Sequence, residues 1–410
     1  MEDFIKHQIT ATLKYFAFHW IASYCKPLRS PAVEEAQRKL GCNFVKGICH
    51  PSEDYAKVRG AGVEWNRADI EFPFDAQGNI RQEYIDWKEK ARRYKENGIR
   101  VMVVTPYPRT YIEHGVDPRT PEGEARVREI ALFLLDDLKD IADIWQITNE
   151  MGIPNFIKPL TMREAVRFIG VQLEAMYPHR GDALIGYNST FPGCDLHGMM
   201  RPWLQYCDYV GIDIYVGCFV GFACWLRLFD AVLRYLWSMT GKPILLAEFG
   251  YISAGAPKSQ EEKQAILQRY GVSSEKEAKA NADQFMAKLK DISPKMHTRA
   301  ANNASGRPVD FLFSPMYRNH FYSELPKRTV IKKYPHTPEG QAGFYRDIFP
   351  RLAELPFMLG AFIYKWNDRQ GGCGHCGQEG CPTETRWGIV DGEHSEKPSY
   401  YAVRDAWEGM

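Results

Sequence analysis

The sequence lacks a charge excess of either sign: Lys and Arg total 52 against 51 for Asp and Glu, a formal charge of +1 over 410 residues. Nothing in that balance favours a phosphate backbone or an anionic lipid surface, so neither nucleic acid nor membrane is expected as a partner. A neutral ligand fits better. Also missing is an uninterrupted apolar run of membrane-spanning length. The stretch from Ile9 to Cys25 is broken by Lys14 and His19, and reads as an amphipathic helix. The stretch from Val216 to Met239 carries Arg227, Asp230 and Arg234 at helical intervals, and reads as a loop followed by a packed helix. Met1-Glu2-Asp3-Phe4 lacks the basic start of a secretory leader. The ten cysteines are scattered apart from Cys373, Cys376 and Cys381. Reduced thiols in the cytoplasm are therefore expected, rather than a disulfide framework.

What is present is an apolar supply of 45%, with 13% aromatics, ample for a large core and for rings that stack on a flat ligand. Residues 1–40 read as helical, with Ser30-Pro31 ahead of Glu34 and Glu35 supplying an N-cap, a first-turn proline and early acidic residues. Beyond residue 40 strand and helix alternate. Strands are expected at Asn43–Cys49, Gly62–Phe72, Ile99–Thr105, Ile141–Thr148, Ala183–Tyr187, Tyr209–Tyr215, Pro243–Phe249 and Met358–Trp366. Helices are expected at Gln82–Asn97, Pro121–Lys139, Met162–Tyr177 and Cys224–Thr240. Eight such units describe an α/β fold, a closed (β/α)8 or TIM barrel spanning residues 41–410 with an N-terminal helix packed on it. The rhythm breaks between strands 7 and 8, where residues 251–336 read as an inserted cap. Helices are expected there near Gln260–Tyr270 and Glu275–Lys290, with an aromatic segment from Phe311 to Arg318 near the cleft.

Two strands end in a way that packing alone does not explain. Trp145-Gln146-Ile147-Thr148-Asn149-Glu150 and Ile244-Leu245-Leu246-Ala247-Glu248-Phe249-Gly250 are apolar runs that finish on a glutamate. Parallel strands under helices are buried on both faces, so each glutamate emerges at the carboxyl edge of the sheet, where barrel enzymes bind substrate. Strand 2 places Trp65, Arg67, Asp69 and Glu71 on one face by its period of two.

Asn149-Glu150 after strand 4 and Glu248 after strand 7 resemble the clan A glycoside hydrolases, and the likeness covers most of the chain. It implies a retaining enzyme that cleaves β-glycosidic bonds of an oligosaccharide or glycoside by double displacement, with Glu150 as acid/base and Glu248 as nucleophile. It further implies that Arg67 and Tyr215 hydrogen-bond the nucleophile, that Asn149 helps bind substrate, and that Trp366 floors the first sugar subsite. The chemistry agrees: one carboxyl must be protonated for the leaving group and another ionised to attack, roughly 5 to 5.5 Å apart. Glu150 is expected to have a raised pKa through partial burial and the charge of Glu248. The Trp387-Gly388-Ile389-Val390-Asp391-Gly392 and Lys397-Pro398-Ser399-Tyr400-Tyr401 segments resemble the clan's usual ending. Strand 3 runs out as Thr105-Pro106-Tyr107 and strand 6 carries Asp213, where many clan members have histidines, and Met151 stands in place of the proline of Asn-Glu-Pro. The resemblance thus names a reaction and a carbohydrate substrate without naming the sugar.

Cys373, Cys376 and Cys381 lie among glycine-rich turns, and the Cys-x2-Cys opening suits convergence on a structural zinc, with His375 or His394 as a fourth ligand. Free thiols or a disulfide are the alternatives. No catalytic cofactor is expected. A carbohydrate-binding or scaffolding barrel without turnover is the rival from another class, which intact Glu150, Glu248 and Arg67 oppose. A metal-dependent barrel would rest on His50 and Asp213 alone.

Overall fold

The computed structural model describes residues 10, 16, 18–25, 31–190, 193–218, 225–303, 306–314, 317–325 and 329–410. Eight parallel strands close a barrel in chain order: β1 Val45–Cys49, β2 Trp65–Asp69, β3 Arg100–Val104, β4 Ala142–Ile147, β5 Leu184–Thr190, β6 Tyr209–Ile214, β7 Ile244–Phe249 and β8 Met358–Ile363. All eight expected strands are there, each shorter than its apolar run or, in β5, longer by a few residues, because ladder pairing stops where neighbouring strands diverge. The register shifts between β6 and β7, where Ile212 pairs with Leu246 but Asp213 pairs with Glu248. That slip puts two carboxylates side by side at the mouth.

Alternation along the strands divides the core in two. Val45, Cys49, Trp65, Met102, Ile144, Leu184, Tyr209, Leu245 and Phe362 fill the lumen, while Ile48, Val101, Val103, Trp145, Tyr187 and Leu246 pack outward against helices. The lumen is filled to contact: a Cβ on Gly47 would meet the Phe362 ring at 2.2 Å, so only glycine fits opposite that side chain. The helix Pro31–Leu40 closes the amino-terminal end, with Ala36 and Leu40 joining the lumen cluster. Ser30, its expected cap, lies outside the described residues, as does much of the expected amphipathic stretch before it.

The expected helices occur at Gln82–Glu96, Pro121–Asp137, Met162–Met176 and Trp225–Thr240. Thr120 caps the second from its side chain, and Thr161 with Glu164 forms a capping box on the third. Helix Pro338–Ala353 went unread in the sequence, although Thr337-Pro338 carries the same cap and first-turn proline. Between β7 and β8 lie short helices Gln260–Arg269, Glu275–Ala280, Ala282–Ile292, Pro294–Asn303, Pro308–Leu312 and Arg318–Tyr322. The single helix expected from 275 to 290 is two, broken where Asn281 leaves helical geometry at φ −106° and ψ 44°. These helices gather their own core of Leu267, Tyr270, Phe285, Leu289, Phe313 and Phe321. The aromatic segment from 311 to 318 belongs to that core and not to the cleft: Phe311 packs on Tyr317 and Phe313 on Phe321, while 315 and 316 are outside the described residues. None of the helices among the described residues is long and apolar enough to cross a membrane.

Candidate active site

Glu150 follows β4 and Glu248 ends β7, both at the carboxyl-terminal mouth of the barrel. The turn after β4 is tight: Thr148 and Glu150 adopt left-handed backbone angles, φ 57° and 49°. Non-glycine residues pay roughly 1–3 kcal/mol each for such conformations. The strain is held by side chains, since Thr105 Oγ1 accepts from the Thr148 amide at 3.0 Å and Asn188 Oδ1 accepts from the Glu150 amide at 2.9 Å.

Glu248 is gripped at both oxygens. Arg67 Nη1 donates to Oε1 at 2.7 Å and the Tyr215 hydroxyl donates to Oε2 at 2.5 Å. The other nitrogen of the fork, Arg67 Nη2, donates to Asn149 Oδ1 at 2.7 Å, so one buried guanidinium ties the β7 carboxylate to the residue preceding Glu150. Arg67 is 2% exposed and is held in this network, whereas Asp69, on the same face of β2, is exposed. Burial and the charge of Glu248 push the Tyr215 hydroxyl well above its ordinary range, which keeps it a donor.

The two glutamates sit in different surroundings. Burial first, then the negative charge of Glu248, raises Glu150 from 4.5 to about 8, against a smaller opposing pull from Arg67. A protonated carboxyl at neutral pH thus stands near a carboxylate that accepts two strong hydrogen bonds.

Asn149 is 6% exposed, and its Oδ1 accepts from Arg67, from Gln146 Nε2 at 3.1 Å and from Asn188 Nδ2 at 2.7 Å. With the oxygen so engaged, its amide nitrogen faces the other way as a donor. Asn188 Nδ2 also reaches Asp213 Oδ2 at 2.7 Å. Asp213 is 1% exposed, and burial reinforced by Glu248 and Glu150 raises its pKa well above the carboxylate range, which favours the protonated acid beside Glu248.

Gln146 and Asn188 were missed from sequence, and Asp213 was read as a departure and, with His50, as the slender basis of a metal-dependent barrel. A usable signal exists for all three: each is a polar residue at a lumen-facing position of a strand buried on both faces, and such a group needs polar partners in the lumen to satisfy it.

Trp366 is a correction. It is fully buried, 6.2 Å from the Tyr400 ring and part of the outer core, so it floors no cleft. The extended run ends at Ile363, and the chain turns outward before Trp366 is reached. Tyr364 takes the rim instead, with its ring 6.0 Å from Tyr215 and 6.4 Å from His50. Tyr107, stacked 5.5 Å from Phe156, stands half-buried where the clan's strand-3 histidine is absent.

Cys373, Cys376 and Cys381 come together as expected from their spacing, and among the described residues they meet His320, with ligand atoms all within 4.8 Å of one another. Neither histidine proposed from sequence joins them: His375 Nε2 pairs with Glu384 at 3.1 Å, and the His394 carbonyl accepts from Lys57. His320 lies 53 residues before Cys373 in the insertion, out of reach of any local motif. An open groove of about 730 Å³ lined by Asn43, Phe44, Pro350, Leu355, Met358 and Met410 lies at the opposite, amino-terminal end of the barrel and holds none of these groups.

No family model matches the chain, and no curated protein matches it by sequence. Solved structures match by shape. The GH53 catalytic domain of Ignisphaera aggregans superposes with a TM-score of 0.55 at 17% identity, over 88% of this chain and 95% of that domain. A family 39 glycoside hydrolase from Bacteroides cellulosilyticus gives 0.50 at 14% identity, over 88% of this chain and 63% of the other. The GH2 β-galacturonidase of Eisenbergiella tayi, bound to galacturonate, gives 0.50 at 14% identity over 90% of this chain, and the chain spans 51% of that protein's length. Likeness at such identities is likeness of fold, and the chain is accordingly a closed (β/α)8 barrel of the kind found in the clan A glycoside hydrolases, with one glutamate at the end of β4 and another at the end of β7.

Proposed function

We propose that the protein is a retaining glycoside hydrolase acting on β-glycosidic bonds, with Glu150 as acid/base and Glu248 as nucleophile. The observation that carries this reading is the division of labour between the two carboxyls. Glu150 is raised to about 8 by burial and by Glu248, while Glu248 accepts from Arg67 at 2.7 Å and from Tyr215 at 2.5 Å. In the first step Glu248 Oε attacks the anomeric carbon as the glycosidic oxygen leaves with the Glu150 proton. In the second, Glu150, now a carboxylate, takes a proton from the water that displaces Glu248. Arg67 and Tyr215 orient the nucleophile and share its charge as it moves to carbon. Asn149, its oxygen held by three donors, presents its amide nitrogen to a sugar hydroxyl.

The test is hydrolysis of a panel of aryl β-glycosides with product stereochemistry followed by NMR. The β-anomer is expected first. Glu248→Ala should lose at least roughly 10³-fold in kcat, with partial rescue by azide that yields a glycosyl azide of inverted configuration. Unchanged hydrolysis in that variant overturns the nucleophile assignment, and sugar binding without turnover across the panel replaces the enzyme with a carbohydrate-binding barrel.

A further inference from the structure

We propose that His320, Cys373, Cys376 and Cys381 form a closed structural zinc site that fastens the helices inserted between β7 and β8 to the loop after β8, and through that loop props the wall beside Glu248. The metal site stands by itself; its effect on turnover rests on the glycosidase reading above.

The geometry already has the dimensions of a coordination shell. Zinc–sulfur bonds of about 2.3 Å and zinc–nitrogen bonds of about 2.0–2.1 Å, at tetrahedral angles, separate sulfur from nitrogen by about 3.6 Å. His320 Nδ1 lies 3.6 Å from Cys373 Sγ and 3.6 Å from Cys381 Sγ. Three thiolates and one imidazole are a donor set that selects zinc over hard cations. The sulfurs belong to residues 0–2% exposed, and with His320 they supply four protein ligands, enough to fill a tetrahedral shell as in a structural site and unlike a catalytic one.

Groups around the sulfurs suit the same reading. The His375 amide donates to Cys373 Sγ at 3.3 Å, and the Thr383 hydroxyl lies 3.1 Å from Cys381 Sγ and 2.8 Å from His320 Nδ1. Once Nδ1 holds a metal, that hydroxyl is left to donate to the Cys381 sulfur, a supporting contact of the kind that orients ligands. The loop itself is shaped by Gly377 at φ 77°, whose amide donates to the Cys373 carbonyl at 2.8 Å.

The need for a fastening follows from the insertion's size. Its core is separate from the barrel's, and the three cysteines sit in it although they follow β8 in sequence. Modules this small are commonly completed by a metal or disulfides. Besides the packing of the cysteines in that core, the direct ties across the seam include two hydrogen bonds: Tyr317 donates to the His375 carbonyl at 2.7 Å and Gln378 Nε2 to the His320 carbonyl at 2.9 Å. From Cys381 the chain runs through the short helix Pro382–Thr385 to Trp387, whose indole donates back to the Thr383 carbonyl at 2.8 Å. The Trp387 ring packs 4.9 Å from Tyr215, the donor to Glu248.

The experiment measures metal in the full-length protein purified without added chelator, by elemental analysis, alongside intact mass without reductant. Close to one zinc per chain and fully reduced thiols are expected, and His320→Ala and Cys376→Ser should each lose the zinc and lower Tm. To separate loss of metal from failure to fold, wild-type protein is also stripped and reloaded with cobalt, which should give intense thiolate-to-metal charge-transfer absorption together with the strong visible bands of tetrahedral cobalt. A disulfide mass deficit of two hydrogens, cobalt without that absorption, or full zinc retention in His320→Ala overturns the site. Stripped wild-type protein should also hydrolyse aryl glycosides several-fold more slowly and regain the rate with zinc. A loaded site with no glycosidase activity removes the proposed function and leaves the metal; activity indifferent to stripping removes the link between them.

Discussion

The barrel mouth and the thiol cluster are both groups of reactive side chains brought together from distant sequence, but they are held in opposite ways. At the mouth, Arg67, Gln146, Asn188, Asp213 and Glu248 stand on five neighbouring or facing strands whose parallel register fixes their heights. Each is paired through another: Arg67 to Glu248 and Asn149, Asn188 to Asn149 and Asp213. The thiol cluster has no strand beneath it. Its ligands come from a glycine-turned loop and a five-residue helix, and what binds these together is the cluster itself with a few carbonyl contacts. Strand-mounted groups are preorganised by the fold, whereas loop-mounted groups need their own fastening. Substitutions at the mouth should therefore change chemistry more than folding, and substitutions at the thiols the reverse.

After Glu248, the largest departure expected at the mouth is at Glu150. Glu150→Gln should lower kcat by roughly 10²–10⁴-fold for glycosides with poor leaving groups and far less for activated aryl glycosides. On the proposed mechanism its pKa, raised to about 8, should set the alkaline limb of kcat/KM, read from a pH–rate profile. Between about 4.5 and 8 the native state retains a proton that the unfolded chain releases, so this group's contribution to stability falls as pH rises through that window. Glu150→Gln should flatten that slope, read as Tm against pH; an unchanged slope would show that Glu150 is ionised at neutral pH.

Arg67 is where the contrast can break, because it serves both chemistry and folding. Arg67→Ala takes the guanidinium from the buried Glu248 carboxylate and removes one of three donors to Asn149 Oδ1, and should cost roughly 3–5 kcal/mol in urea unfolding. Arg67→Lys keeps the charge but cannot span both partners, so it should recover stability better than kcat. A neutral Arg67→Ala would mean that the mouth relaxes as freely as a loop.

Asp213 gives the smallest expected effect and the sharpest test of its neutral state. Asp213→Asn matches the protonated acid in shape and should leave kcat within a few-fold, whereas Asp213→Ala leaves the Asn188 amide without that acceptor and should cost roughly 1–3 kcal/mol. Loss of activity in Asp213→Asn would instead give this carboxyl a charged role.

Much of this was legible from local pattern. An apolar strand buried on both faces has one outlet for a terminal glutamate, so Glu150 and Glu248 could be found without coordinates. Arg67 and Tyr215 followed from period-two alternation and the resemblance. Trp366 misled because the resemblance was placed on a strand read through to residue 366, whereas the ladder ends at Ile363, leaving Tyr364 at the rim and Trp366 in the core. The helix break at Asn281 escaped for a related reason, since a charged surface helix has little periodic signal with which to mark a stop.

By itself, the sequence determined the repeating strand–helix order, the carboxyl-edge location of both glutamates and the Cys-x2-Cys geometry, because each depends on residues within a turn or two of one another. Only the tertiary structure decided which partner each of these meets. The slip that sets Asp213 beside Glu248 and the single guanidinium joining Glu248 to Asn149 depend on closing a barrel around side chains of particular volume, and the arrival of His320 at the three cysteines depends on packing the inserted helices against the loop after β8. Register and long-range approach are set by that packing, and no local pattern encodes them.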